Sequence, residues 1–380
     1  MTKIILGGIS LISMDLIIAE CRRRYNEHAF FNTFLTGSKN TLKNPPSNFI
    51  SREEIVNKIK PMLTPQPDSS FYQVISGSHG VGKSTIVSQA AREVGRGVIY
   101  VDIPPDNTQF GNEFAKALNI SFDEHITFMS TLFRKIWGIP LESGVSQDPK
   151  WTRALARFQH GAEAYLKAYG KPAVIIYDNA SRLTHEILDI LQNDAKENAN
   201  YSNYISLFVT SEGSVPMRMQ GRSAWSRAES IFEIPDLPKD KSMDFLDKNG
   251  IPLKEAEQFY NLIGGRIIQL KRAVKLFKTR SFDETKNIFM DDQLRNFTRA
   301  EILPGGLYHN VASKIIKILL EKGQIEYIDF QEIVNDKKVA DILLDSNIFS
   351  LRPSGSTINF ESKLVESFIR EKLCNRPKSP

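Results

Sequence analysis

FYQVISGSHGVGKSTIVSQAAREV, residues 71–94, decides how the chain folds. A β-branched and aromatic run, Phe71 to Ser76, leads into Gly77-Ser78-His79-Gly80-Val81-Gly82-Lys83-Ser84, and a helical pattern begins at Thr85. The loop satisfies G-x-x-x-x-G-K-[ST] between a strand and a helix, the one setting where that spacing has a physical meaning. Side chains at Gly77, Gly80 and Gly82 would block the backbone N–H groups from wrapping an anion. Lys83 adds a positive charge within reach of β- and γ-phosphates, the Ser84 hydroxyl is a ligand for Mg²⁺, and the following helix presents its positive end. The expected nucleotide contacts are therefore Gly77, Ser78, His79, Gly80, Val81, Gly82, Lys83, Ser84 and Thr85.

Outward from the loop, further short apolar runs alternate with longer helical patterns: Val98 to Ile103, Ala173 to Tyr177, Ile205 to Thr210 and Ser230 to Ile234. Continuous apolar strands of this kind are buried on both faces, which predicts an α/β core built on a RecA-like parallel sheet. Ala173-Val174-Ile175-Ile176-Tyr177 ends in Asp178, at the carboxyl end of a strand where open α/β sheets bind ligands. Asp178 is the expected acidic partner of Ser84 around Mg²⁺. Asn179 follows it, and an amide cannot act as a base, so hydrolysis is left open.

Strand signals stop at Leu237. Residues 237–310 read as a helical lid, with breaks at Asn249-Gly250 and Gly264-Gly265, and 48–236 as the core. In 311–380 a helix ends at Gly323, a second runs from about Phe330 to Leu344, and Ile348 to Leu351 and Ser356 to Phe360 flank Pro353-Ser354-Gly355 before a closing helix. Helix, helix, hairpin predicts a winged helix. Residues 1–47 form an N-terminal helical segment and a linker rich in proline and polar residues.

The N-terminal run Ile4 to Ala19 is shorter than a membrane span and carries Asp15, and Ala19 is followed by Glu20, which does not suit a secretory cleavage site. Both acids also count against a mitochondrial presequence. An amphipathic helix packed on the rest of the chain is the expectation, with membrane contact through residues 4–24 as the alternative. Two cysteines, Cys21 and Cys374, rule out a disulfide scaffold in a chain of 380 residues and suit a reducing, cytoplasmic compartment, with mitochondrion and nucleus as alternatives. The proportions, 41% hydrophobic and 24% charged, exclude a disordered or low-complexity protein. No H-x-x-x-H metal spacing and no G-x-S-x-G motif occurs, so neither metal hydrolysis nor serine chemistry competes with the loop.

Taken together, these motifs resemble the P-loop ATPases of the AAA+ and STAND type, and within them the archaeal-type ATPase family and origin-recognition ATPases. Asn48-Phe49-Ile50-Ser51-Arg52-Glu53-Glu54-Ile55 is similar to the family's aromatic-x-x-Arg-Glu-x-Glu motif, and the resemblance implies that Phe49 and Ile50 flank adenine. Thr210-Ser211-Glu212 resembles the sensor strand end. Thr210 or Ser211 would read the γ-phosphate or the attacking water, and Glu212 would either replace the missing base or open the next helix. Gly221 to Arg227, placed on the helix before the last strand, corresponds to the region that donates an arginine to a neighbouring subunit's ATP: Arg227 first, Arg222 second. Leu262-Ile263-Gly264-Gly265-Arg266 resembles the second sensor, with Arg266 reaching the γ-phosphate from the lid.

The resemblance implies ATP and Mg²⁺ as ligands and three uses for them. One is a switch or remodelling ATPase, with a protein partner or self-association through the core and winged helix. Another is a signalling adaptor that senses ATP with little hydrolysis. The last is a DNA-associated ATPase. Residues Gln331 to Asp345 would hold the recognition helix, yet Lys337 and Lys338 face Glu332, Asp336, Asp341 and Asp345, so this surface suits a protein better than a groove. The formal charge of +5 divides into +3 for residues 1–69, −2 for 70–236, +3 for 237–310 and +1 for 311–380. Nucleic acid therefore finds its better candidate in the lid residues Arg266, Lys271, Arg272, Lys275 and Lys278.

Overall fold

The computed structural model describes residues 17, 20, 21, 23–38, 50–120, 148–211 and 213–373. Five strands, β1 (Gln73–Ser76), β2 (Val98–Asp102), β3 (Ala173–Asp178), β4 (Tyr204–Val209) and β5 (Phe232–Glu233), form one parallel sheet in the order β2-β3-β4-β1-β5. Alternation explains why β3 is buried throughout: Val174 and Ile176 enter one core, while Ile175 and Tyr177 enter the other. The strand carries Asp178 as its last residue, one beyond the apolar run, and β1 starts at Gln73, after exposed Phe71 and buried Tyr72, which bridges Ala228.

Helix α1, residues 23–36, packs on the face lined by Ile175 and Tyr177, the first face, opposite the second face lined by Val174 and Ile176, and its Phe30 and Phe34 are fully buried. A Cβ at Gly161 would lie 2.4 Å from the Phe34 ring, so the glycine is what lets the helices approach. The chain then runs along β2: Gly97 N–H donates to Phe34 O (2.7 Å), Ser38 N–H to Val98 O (3.2 Å) and Tyr100 N–H to Ser38 Oγ (3.0 Å). Residues 23–36 thus pack on the core, downstream of the run Ile4 to Ala19 for which the amphipathic helix was expected. The run Ile4 to Ala19 lies outside the described residues apart from Ile17, which is exposed. No described helix is long and apolar enough to cross a membrane.

Helices α2 (Glu53–Ile59) and α3 (Lys83–Val94) cover the second face. Helices α4 (Phe110–Ala117) and α5 (Lys150–Tyr169) cover the first, joined there by α6 (His185–Asn200). After α7 (Ser214–Gln220) the segment Ser223–Arg227, expected on a helix, is a 3₁₀ turn. Beyond Leu237 come α8 (Lys239–Lys248), α9 (Leu253–Ile263), α10 (Ile267–Phe277) and α11 (Phe282–Arg299). The last of these falls within the stretch 237–310 read as a helical lid, and Ser281 and Glu284 start it with a reciprocal capping box that S-x-x-E announces in the sequence.

The winged helix holds α12 (His309–Lys322), β6 (Ile325–Glu326), α13 (Tyr327–Val334), α14 (Lys337–Asp345), β7 (Phe349–Arg352), β8 (Thr357–Phe360) and α15 (Lys363–Phe368), with an antiparallel sheet in the order β6-β8-β7. The single helix expected from Phe330 to Leu344 is two. Asn335 takes a left-handed conformation (φ 52°), and Asp336 caps the next helix by accepting from Lys338 and Val339 N–H. Lid and winged helix share one continuous core, in which the Phe297 and Phe368 rings lie 4.8 Å apart.

Candidate functional site

The phosphate loop sits where β1 ends between β4 and β5, and α3 leaves it toward the second face. Gly80 (φ 80°) and Gly82 (φ 93°) need the left-handed region, and a Cβ at Gly80 would stand 2.3 Å from Ile268 of α10. Backbone conformation and lid packing thus require the same glycine. Lys83 is buried, and its ammonium donates to Gly77 O (2.7 Å) and Ser78 O (2.9 Å). Burial pushes it down to about 8, partly offset by the attraction of Asp178. Thr85 occupies the first turn of α3, and Val81 is buried beneath the loop, its carbonyl accepting from Arg52 Nη1 (3.3 Å).

Asp178 meets Ser84 here as the sequence implies: Ser84 Oγ donates to Asp178 Oδ1 at 3.1 Å. Tyr100 OH of β2 donates to Oδ2 at 2.5 Å, and Asn179 N–H donates to Oδ1 at 2.9 Å. Burial pushes the carboxyl up, against those three hydrogen bonds. The hydroxyl and carboxylate form an oxygen donor set that suits Mg²⁺ completed by phosphate oxygens and water. Among the described residues no group of three or more His, Cys, Asp or Glu could hold a metal ion.

Thr210, fully buried, donates its N–H to Ile75 O (2.9 Å) beside the start of the loop. Ser211 lines a cleft of about 310 Å³ together with Ser78, His79, Asn347, Ser350 and Glu361, so the winged helix forms one wall of it. Ile50 packs against the lid and winged-helix core; Phe49 and Glu212 lie outside the described residues. Arg227 is found elsewhere. Its carbonyl accepts from Tyr72 N–H and its guanidinium stands 5.9 Å from the Phe71 ring, at the start of β1 and so at the opposite end of the strand from the loop. Arg222 pairs with Asp189 at 2.6 Å. Neither arginine belongs to the loop of its own chain.

Arg266 is 3% exposed and joins three parts of the molecule. It donates to His79 O in the loop (2.9 Å), to Asp236 Oδ1 before the lid (2.6 Å), and to Glu361 Oε1 (2.6 Å) and Glu361 O (2.7 Å) in the winged helix. The sequence named Arg266 but not its acidic partners, nor Tyr100 and Asp102, and it placed Arg52 in the entry motif without its contact to the loop. Asp102 carried a usable signal: like Asp178, it is an acid at the end of a buried strand.

By sheet order and loop, the chain resembles the AAA+ P-loop ATPases. No family model matches it. It is 21% identical to an uncharacterized ATP-binding protein of Methanocaldococcus jannaschii over 86% of this chain and 96% of the relative. It is 22% identical to another of the same description from Pyrococcus horikoshii, over 85% and 98%. Solved structures similar to it include Cdc6p of Pyrobaculum aerophilum (15% identity, 87% of this chain and 95% of that one, TM-score 0.42) and the ORC2 protein of Aeropyrum pernix (12%, 88% and 97%, TM-score 0.45).

Proposed function

We propose that the chain binds ATP with Mg²⁺ through Gly77 to Thr85 and Asp178 and acts as a nucleotide-dependent switch. Arg266 carries this reading: one buried guanidinium holds the loop, the segment before the lid and the winged helix together, so a change in the loop alters what the other two hold. A bound Mg²⁺ would neutralise phosphate charge next to Ser84 and Asp178. Lys83, whose ammonium lies on loop carbonyls, turns toward an incoming phosphate, while the loop N–H groups and the start of α3 orient it. The similar archaeal proteins, described as ATP-binding, support the nucleotide part. Domain limits at 48, 237 and 311, and an arginine finger from Arg227 in a neighbouring copy, belong to the same proposal.

The test is equilibrium binding of a fluorescent ATP analogue, with a dye pair reporting the distance between core and winged helix. Wild type should bind and change distance, and Lys83→Ala should do neither. Undiminished affinity in Lys83→Ala overturns the site; binding without a distance change overturns the switch. A second reading, an ATP-sensing adaptor with little turnover, draws on Asn179, an amide where a base is expected.

A further inference from the structure

Asn179 takes a left-handed conformation (φ 61°), which carries its side chain across to the neighbouring strand, where Nδ2 donates to Asp102 Oδ1 at 2.8 Å. Asp102 and Asp178 are partners in the register of β2 and β3, so two acids end adjacent strands, about 4.8 Å apart in backbone spacing. Their surroundings differ. Asp178 is 2% exposed, with Tyr100, Ser84 and the Asn179 N–H on its two oxygens, an arrangement that fixes it in place. The Asp102 side chain is 30% exposed and within reach of water, with Arg182 Nη1 3.8 Å from Oδ1 and the Asn179 amide on the same atom. Arg182 is itself fixed by donating to Ile103 O at 2.6 Å.

We propose that Asp102 is the general base of ATP hydrolysis in this chain, supplying from β2 the carboxylate that Asn179 lacks on β3, and that Asn179 is a positioning residue which aims it. The proposal rests on the nucleotide reading above and deepens it. In the step, a water oxygen bonds to the terminal phosphorus as its proton passes to Asp102. The bond from that phosphorus to the β,γ-bridging oxygen breaks, and ADP leaves with the electron pair. The products are ADP, inorganic phosphate and one proton, which Asp102 returns to solvent. Nothing else is consumed. Positioned general-base catalysis contributes about 10²–10⁴-fold, which sets the size of the expected loss.

The experiment compares wild type, Asp102→Asn, Asn179→Asp and the exchange Asp102→Asn/Asn179→Asp, measuring phosphate release, affinity for the fluorescent ATP analogue with Mg²⁺, and thermal melting. Asp102→Asn should lose about 10²–10⁴-fold in turnover with affinity within about threefold of wild type. The exchange should recover part of the loss, because the carboxylate–amide pair is restored with its strands reversed. Wild-type turnover in Asp102→Asn overturns the proposal, as does loss of affinity and turnover together, which would make Asp102 part of the binding framework. Tight binding without any turnover in wild type overturns the base while leaving the nucleotide site intact. Absence of binding in wild type overturns the nucleotide reading first and the base with it.

Discussion

Replacing Arg266 by alanine should loosen the winged helix from the core without unfolding either. The substitution strands two carboxylates and two carbonyls that share one guanidinium: Asp236, Glu361 Oε1, Glu361 O and His79 O. Removing one partner from a buried ion pair costs about 3–5 kcal/mol. The Asp236 side chain is 36% exposed, so water screens that half, whereas Glu361 is 15% exposed. The lower figure, about 3 kcal/mol, is therefore expected, equivalent to roughly a hundredfold rise in the opened population. Hydrogen exchange followed by mass spectrometry reads this directly. Amides of residues 349–368 and of the loop 77–84 should lose protection in Arg266→Ala, while those of β3 and β4 should not. Glu361→Gln keeps an oxygen at the pairing distance and leaves Asp236 in place, so it should cost only about 1 kcal/mol. Unchanged exchange over 349–368 in Arg266→Ala would refute the coupling through this residue.

Tyr100→Phe removes a donor from a 2%-exposed carboxylate and should destabilise by about 1–3 kcal/mol in urea unfolding; an unchanged midpoint counts against the Tyr100–Asp178 bond. In Gly213→Ala the new Cβ would stand 2.2 Å from Leu351 O, so β7 must move away at a cost of about 1–3 kcal/mol, visible as faster exchange in β7 but not in β1. Equal exchange in both strands would show that the wing does not press on this residue. Burial pushes Asp194 above its ordinary 3.8, against hydrogen bonds from Tyr204 and Gln159. The folded chain thus holds this proton more tightly than the unfolded one, so the contribution is complete below about pH 4 and is lost as pH rises through the raised value. The melting temperature of wild type minus that of Asp194→Asn should fall as pH rises from about 4, and a flat difference would refute the assignment.

The core was legible because its signals are local. Five apolar runs became five strands, shifted by one or two residues at their ends, and Ser84 meets Asp178 as their chemistry implies. What escaped the sequence has two physical origins. Asn335 breaks the second helix of the winged domain through a left-handed conformation that asparagine tolerates but does not advertise. The partners of Arg266 come from positions 79, 236 and 361, and no periodicity links them; only tertiary packing does. Asp102 stands between these cases: it lies one residue inside the run Val98 to Ile103, the structure ends the strand at it, and its bond to Asn179 depends on the turn after β3. Arg227 shows the same limit from the other side, for the sequence gives its type and neighbourhood but not that it stands at the far end of β1 from the loop.

The bonds that run from Phe34 and Ser38 to residues 97–100 bear on how far the protein can be trimmed. Among the described strands β2 is the last in its sheet, and an outermost strand with unpaired backbone groups is a template for another chain. Here the protein's own leading segment takes part of that place, while Phe30 and Phe34 cover apolar surface beneath it. A fragment beginning at residue 48 would keep every phosphate-loop residue and lose this cover. It would expose both a strand margin and an aromatic patch, the two ingredients of aggregation. The leading helix therefore shields that margin, and a fragment that retains residues 23–38 keeps the cover.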